Sequence, residues 1–200
     1  MCRIVRGMAI LLLFACVLPV MARESRPVLV KKNGEYTIVL PAPMRAALHA
    51  FDRHFTIWKQ HEYLPDVLQH YHFTARQAPF AVIGDFNGDG KMDVVVQGHN
   101  QQSDIIVGVL SHGRGYHAML VEAIPGPTDP AKEWYDTGEH ERQHGLWNYL
   151  TYVAPGMLNS PFEDHTVKLT TDAVQANAYE KGAAAYYYRN GQFHSYATED

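Results

Sequence analysis

Cysteine is almost absent from this 200-residue chain, which contains only Cys2 and Cys16. Positions 17–200 therefore offer no disulfide, no thiolate metal site and no cysteine nucleophile. A G-x-S-x-G nucleophile elbow is also missing. A glycine-rich phosphate loop is missing too, because the glycines of residues 84–90 are interspersed with carboxylates that would repel phosphate. These absences exclude thiol enzymes, elbow-type hydrolases and phosphate-loop nucleotide-binding proteins.

An excess of positive charge and a long apolar run are missing as well. Lys and Arg number 17 against 21 Asp and Glu, so the net charge is −4. Such a chain has no basic surface to attract phosphates, and we expect no nucleic-acid partner. The longest apolar run, residues 8–20, is shorter than the roughly 20 residues that cross a bilayer, so we expect no membrane span. The balance of 46% hydrophobic and 19% charged residues is typical of a globular domain.

The first 22 residues have the layout of a secretory signal peptide. Arg3 and Arg6 precede the apolar run, and Val20 and Ala22 are small residues at the −3 and −1 positions of a cleavage site. We therefore expect cleavage near Ala22, which leaves a single secreted or periplasmic domain over residues 23–200.

A second processing route stays open for this segment. Residues 13–16 read Leu-Phe-Ala-Cys and loosely resemble a bacterial lipobox, which would place a lipid anchor on Cys16. Phe14 is bulky for that motif, and the apolar run continues past the cysteine. Cleavage near Ala22 is therefore the favoured route.

Short β-rich runs dominate the remainder of the chain, with helical spacing near its start. Asn33-Gly34 between apolar runs predicts a hairpin over residues 27–40, and apolar spacing predicts helices from Met44 and over residues 63–71. Further strands are predicted at 80–83, 94–97, 105–110, 116–123, 146–153, 166–169, 174–179, 183–188 and 193–196, with a polar loop at 125–145. Without βαβ alternation, this order predicts a single-domain α+β fold: an N-terminal hairpin and two helices followed by mainly antiparallel β-sheet.

An acidic loop between two apolar runs is the most specific motif in the chain. Gly90 lies at position 6 of this loop, where it permits a sharp turn, and the Lys91 carbonyl falls at position 7. Calcium takes roughly six to eight oxygen ligands, which suits a loop of this kind. Side-chain oxygens occupy positions 1, 3, 5 and 9: Asp85, Asn87, Asp89 and Asp93. We predict that these four side chains and the Lys91 carbonyl bind calcium within a hairpin over residues 80–98.

The residues after the loop identify its type. An EF-hand requires a glutamate at position 12, but Val96 stands there, inside a β-branched run that predicts a strand. The segment from Gly84 to Val95 instead resembles the calcium loop of FG-GAP and VCBS repeats, D-x-[DN]-x-D-G-x-x-D between antiparallel strands. That family usually carries several copies arranged as propeller blades, whereas this chain has one. The whole chain is more similar to small secreted bacterial proteins of unassigned function that carry a single such loop.

A second motif offers an enzymatic alternative. His140-Glu141-Arg142-Gln143-His144 matches H-E-x-x-H, in which two histidines on one side of a helix bind zinc and the glutamate activates water. Gly138 and Gly145 bracket the motif and leave little length for a helix, and Glu163 is available as a third ligand. A solvated polar loop is the favoured interpretation, and a zinc-dependent hydrolase is the alternative.

A tyrosine cluster near the end of the chain is the last candidate. Strand alternation sends Tyr186 and Tyr188 to one face and Tyr187 to the other, with Tyr196 nearby. Such a face suits a carbohydrate or protein ligand, although cross-strand packing explains it more simply. The sequence thus predicts a calcium-binding domain that acts as a binding or structural module rather than an enzyme, with its ligand unidentified.

Overall fold

In a computed structural model, which describes residues 26–136 and 142–199, strands hold 52% of these described residues and helices 11%. The α+β class expected from the sequence is therefore wrong, and the fold is mainly antiparallel β-sheet. The two helices are short: α1 covers Ala42–Phe51 and α2 covers Pro65–His70. Prolines lie in the first turn of both helices, where a missing N–H costs no hydrogen bond. The backbone returns to extended geometry at Tyr71, which buries its ring and donates a hydrogen bond to the Leu150 carbonyl.

Sixteen strands are present in the described ranges, and a short 3₁₀ helix covers Gln60–Glu62. In chain order the strands are β1 (Val28–Lys32), β2 (Glu35–Val39), β3 (Thr56–Ile57), β4 (Gln77–Ala78), β5 (Ala81–Gly84), β6 (Asp93–His99), β7 (Ser103–His112), β8 (Gly115–Pro125), β9 (Trp134–Asp136), β10 (Arg142–His144), β11 (Asn148–Val153), β12 (Gly156–Leu158), β13 (Val167–Leu169), β14 (Ala173–Ala178), β15 (Gly182–Arg189) and β16 (Gln192–Glu199).

The central sheet has six strands in the order β4-β5-β6-β7-β8, with β3 paired to the far end of β6. Strands β6 and β7 carry apolar residues at consecutive positions because other parts of the protein cover both faces of this sheet. Val94 and Val96 point to one face and Val95 to the other, and all three are fully buried. Full burial of each such side chain stabilises the fold by roughly 1.5–3 kcal/mol.

The second sheet has four antiparallel strands in the order β11-β14-β15-β16. It packs on one face of the central sheet. Val95 and Ile106 of the central sheet belong to the same apolar cluster as Leu150, Val174 and Tyr186 of the second sheet. The two sheets therefore form a sandwich, as antiparallel sheets with one apolar face do.

The other face of the central sheet is covered by the first third of the chain. Met44 and Leu48 of α1 and Leu29 of β1 share an apolar cluster with Val94 and Val107. The β1–β2 hairpin turns at Asn33 and Gly34, which both have positive φ. The molecule thus has three layers: a hairpin and helix layer, the central sheet and the second sheet.

Part of the region expected to be a polar loop contains strand pairing. Strands β9 and β10 pair antiparallel, with His144 opposite Trp134. Pairing between the two short strands, which the local composition does not signal, caused this difference. No helix in the described ranges is long and apolar enough to cross a membrane. The predicted signal peptide and the Cys16 lipid site lie outside the described residues.

Candidate metal centre

The acidic loop connects two adjacent strands of the central sheet. Strands β5 and β6 pair antiparallel from Ala81 opposite Val96 to Gly84 opposite Asp93. Residues 85–92 therefore leave the ladder together, anchored at both ends by buried strands. Gly88 and Gly90 have φ of 76° and 81°, a region that residues with a β-carbon rarely adopt. The two glycines allow the loop to turn back tightly on itself.

Asp85 organises the first half of this loop. Its Oδ1 accepts hydrogen bonds from the backbone N–H groups of Gly88 and Asp89, at 2.8 and 3.1 Å. Its Oδ2 accepts one from the N–H of Gly90 at 2.8 Å. Asn87 adds a similar bond, in which its Oδ1 accepts from the Asp89 N–H at 3.1 Å. The side chains at positions 1 and 3 therefore curl the backbone around themselves.

Asp93 closes the loop and is its most buried carboxylate, with no exposed surface. Its Oδ1 accepts a hydrogen bond from the Ser111 N–H at 2.7 Å, and its Oδ2 accepts one from the Phe86 N–H at 3.1 Å. Burial raises the pKa of Asp93 to about 6, against the lowering effect of these hydrogen bonds. Burial therefore disfavours the charged form of Asp93, and a nearby cation would offset that cost.

Ser111, at the end of β7, contacts three of the four predicted side-chain ligands. Besides its bond to Asp93, its hydroxyl donates to Asp89 Oδ2 at 2.7 Å, and its carbonyl accepts from Asn87 Nδ2 at 2.7 Å. Ser111 is only 3% exposed, so the contact lies inside the protein. No spacing rule points to this serine, because it reaches the loop through strand pairing 18 to 24 residues away in sequence.

Asp172, which immediately precedes β14 of the second sheet, also holds the loop. Its Oδ2 accepts a hydrogen bond from the Asp85 N–H at 2.9 Å, and its own N–H donates to the Asp85 carbonyl at 3.2 Å. Its Oδ1 accepts from the Tyr152 hydroxyl at 2.7 Å, and an Arg76 guanidinium nitrogen lies 3.8 Å from Oδ2. A β-carbon on Gly84 would lie 2.9 Å from Asp172 Oδ2, so glycine permits this approach. Sequence reasoning missed Asp172 because it is 87 residues from Asp85.

Lys91 brings one positive charge to the loop. Its ammonium donates to the Gly113 carbonyl at 3.0 Å and lies 3.6 Å from Asp89 Oδ2. Burial acts to raise the pKa of Asp89, but hydrogen bonds from Ser111 and Lys91, together with the Lys91 charge, hold it below its usual value. Asp89 is therefore charged at neutral pH.

The donor set suits a hard divalent cation, because every predicted ligand atom is an oxygen. Each carboxylate oxygen has two lone pairs, so an oxygen of Asp85 or Asp93 that accepts a backbone hydrogen bond can still ligate a cation. The carboxylates are nevertheless not drawn together. Within the described ranges, the only acidic, histidine or cysteine triplet with ligand atoms all within 4.8 Å of one another lies elsewhere. Calcium binding therefore requires Asp85, Asp89 and Asp93 to close around the ion.

That triplet consists of the consecutive residues Glu163, Asp164 and His165, of which the last two are exposed. The glutamate already accepts a hydrogen bond from the Ala197 N–H at 2.9 Å, and the His165 ring packs edge-on against Tyr196. These contacts account for the placement of two of the three side chains without an ion.

The H-E-x-x-H match is only partly described, since His140 and Glu141 lie outside the described residues. The remaining three residues form strand β10. A zinc hydrolase of this type needs a helix to present both histidines on one side. The His144 Nδ1 lies 3.0 Å from the carbonyl of Glu133, the residue immediately before β9.

The tyrosine cluster packs across strands. Tyr187 stacks on His194 with 5.5 Å between the ring centroids, and Tyr188 meets Phe193 edge-on at 5.6 Å. Both contacts join residues directly opposite each other on β15 and β16. Tyr186 and Tyr196 are buried. Cross-strand packing thus accounts for the positions of these rings.

Comparisons with protein-family models, with curated proteins and with solved structures find no match to this chain.

Proposed function

We propose that this protein is a secreted calcium-binding domain in which the ion stabilises the β5–β6 hairpin. The single observation that carries the proposal is the oxygen donor set of Asp85, Asn87, Asp89, Asp93 and the Lys91 carbonyl, all on one turn between buried strands. The role that fits it is a binding or structural module rather than an enzyme.

The charge balance around the loop supports this proposal. Asp85, Asp89 and Asp93 lie within nine residues of one another, and the Asp172 carboxylate bonds directly to the loop backbone. Lys91 is the one cation on the loop, and it also contacts the Gly113 carbonyl. A divalent ion would relieve the mutual repulsion of these carboxylates and offset the cost of charge on buried Asp93.

The resemblance to FG-GAP and VCBS calcium loops extends the proposal to the ligand assignment. In that pattern the loop joins adjacent antiparallel strands, as residues 85–92 join β5 and β6. Because this chain has one such loop, in a sandwich, the ion would stabilise a single hairpin rather than join repeated blades.

The proposal includes export of the protein from the cytoplasm. Residues 1–22 would direct the chain out of the cytoplasm, with cleavage near Ala22, and a lipid anchor on Cys16 is the second route. Extracellular calcium modules typically bind with Kd of roughly 10⁻⁴–10⁻³ M, which suits a compartment with millimolar calcium.

Thermal unfolding of the purified protein tests the proposal, first in chelator and then in excess calcium. At about 50 times Kd, linkage predicts a stabilisation of about 2.3 kcal/mol and a rise in Tm of about 5–9 °C. Asp89→Ala should abolish this rise. The matched control is Asp129→Ala, which removes an exposed carboxylate paired with Lys132 away from the loop and should leave the rise intact.

Two results would contradict the proposal. One is an unchanged Tm in millimolar calcium for a protein that unfolds cooperatively. The other is an equal calcium response in Asp89→Ala and the unsubstituted protein, because the ion would then bind elsewhere.

A further inference from the structure

The space between the two sheets is filled differently at its two ends. Near the acidic loop it holds large apolar side chains, among them Phe86, Val95, Leu150 and Val174. All four are fully buried, as close packing between sheets requires.

Strand alternation identifies the residues that fill the other end. Residues two positions apart on a strand share a face, so Gln97 follows Val95 and Asn148 precedes Leu150 on the faces that meet. On β14 the corresponding step leads from Val174 to Ala176. Polar and small residues thus replace large apolar ones, and a cleft of about 220 Å³ remains between the sheets.

Gln97 supplies a hydrogen-bonding group beside this cleft. Its side chain lines the cleft and the residue is only 6% exposed. Its Oε1 is buried and has no hydrogen-bond partner among the described residues. Buried polar atoms are normally paired, so an unpaired amide oxygen on a residue that lines a cleft points to a ligand that supplies the missing donor once the amide turns toward it.

The charge of the cleft is negative. Asp104 and Glu122 line it, and no lysine or arginine does. Neither carboxylate forms an ion pair within the described part of the chain. Glu122 Oε2 accepts a hydrogen bond from the Tyr186 hydroxyl at 2.5 Å, and both Asp104 oxygens accept from Thr128. The hydrogen bonds hold these carboxylates in place without neutralising them.

We propose that this cleft binds a small organic ammonium ion with an apolar body. An ammonium group has only donors, which suits the Glu122 carboxylate and the Gln97 carbonyl. The apolar walls formed by Ile106, Ala176 and Ala184 suit a hydrocarbon chain or ring. Because 220 Å³ is below the roughly 300–1,000 Å³ of sites for drug-sized ligands, the occupant has on the order of ten non-hydrogen atoms.

Three probes that share a phenyl ring and a short side chain test the charge preference. These are 2-phenylethylammonium, the neutral 2-phenylethanol and the anionic phenylacetate. Titration of each into ¹⁵N-labelled protein, followed by amide chemical shifts, gives both Kd and location. We expect the ammonium to bind about tenfold more tightly than the alcohol, with shifts centred on β6, β8 and β15, and the anion not to bind.

Glu122→Gln isolates the role of the charge. The glutamine keeps an acceptor for the Tyr186 hydroxyl, so the fold should persist while the charge is lost. Ammonium binding should weaken about tenfold, and binding of the alcohol should change by less than about twofold. The matched control is Glu180→Gln, because Glu180 also accepts a tyrosine hydroxyl bond, from Tyr135, but does not line the cleft.

Ala184→Leu fills the cleft and should abolish binding of both the ammonium and the alcohol. If this variant does not fold, the Glu122→Gln comparison still decides. Equal binding of ammonium and anion, equal effects of Glu122→Gln and Glu180→Gln, or shifts that fall outside the cleft would each overturn the proposal. The proposal would also be overturned if the ammonium did not bind at about 20 mM, a concentration roughly tenfold above a Kd in the low millimolar range.

Discussion

The space between the two sheets has one end beside the acidic loop, the loop end, and another at the cleft beside Gln97, the cleft end. The two ends share strands but differ in packing and hydrogen bonding. Strand β6 begins at Asp93, a buried carboxylate that accepts hydrogen bonds from Phe86 and Ser111. It continues to Gln97, a buried amide whose oxygen has no hydrogen-bond partner in the described part of the chain. At the loop end the space between sheets is packed and polar groups are paired, whereas at the cleft end space and an unpaired acceptor remain. At the cleft end, lower packing density and an unpaired acceptor occur together, which is the combination expected where a protein keeps room for a ligand.

The largest expected effect comes from removing a side chain that fills the loop end. Phe86→Ala should lower the free energy of unfolding by about 3–5 kcal/mol, because Phe86 is fully buried between the sheets and leaves a cavity. Ile124→Ala at the cleft end should cost less than about 1 kcal/mol, since Ile124 is 45% exposed. Denaturant unfolding measures both changes in the free energy of unfolding. Equal losses for the two variants would contradict the inferred difference in packing between the two ends.

Asp172→Ala should have the next largest effect. It leaves the Asp85 N–H and the Tyr152 hydroxyl without their acceptor and should lower the unfolding free energy by about 1–3 kcal/mol. Asp129→Ala, which removes an exposed pair with Lys132, should change it by less than about 0.5 kcal/mol. If the two variants unfold at the same denaturant concentration, Asp172 does not hold the loop.

The pH dependence of calcium affinity tests the loop end alone. Because burial raises the pKa of Asp93 to about 6, this carboxyl is protonated in the calcium-free protein below that pH and must lose its proton to bind the ion. Affinity should therefore fall about tenfold between pH 7 and pH 5, a change that isothermal titration calorimetry can follow. Constant affinity over this range would show that Asp93 is not a ligand.

The smallest predicted effect concerns the cleft end and is an increase in the free energy of unfolding, whereas the substitutions at the loop end lower it. Gln97→Leu removes the unpaired buried acceptor and should raise the unfolding free energy by about 1 kcal/mol, at the expense of ammonium binding. Gln192→Leu, on the exposed start of β16, should leave stability within about 0.5 kcal/mol. A destabilised Gln97→Leu variant would mean that the amide has a structural role.

Local features of the fold were predictable from the sequence. The run Val94–Val96 predicts a strand because β-branched residues favour one, and it lies in β6. Asn33-Gly34 predicts a turn because both residues accept positive φ, and both have it, at 54° and 88°. The spacing of the loop oxygens was also visible, since all lie within nine residues.

The fold class was not predictable in the same way. Helical spacing over residues 63–71 overstated the helix, because Tyr63 and Tyr71 are placed by burial and by contacts with distant residues. The β9–β10 pair went unrecognised because its strands are only three residues long and lie in a stretch rich in glycine, proline and charged residues. Tertiary pairing overrode local preference in both places.

The sequence by itself determined the positions of the turn glycines, the alternating apolar faces of the strands and the order of oxygen donors in the loop, because each depends on residues within a few positions of one another. Only the tertiary structure decided that Ser111 and Asp172 hold the loop and that a negatively charged cleft opens beside Gln97 and Glu122. These contacts join residues on different strands or different sheets, and the distances between them depend on how the sheets pack, which no local pattern encodes.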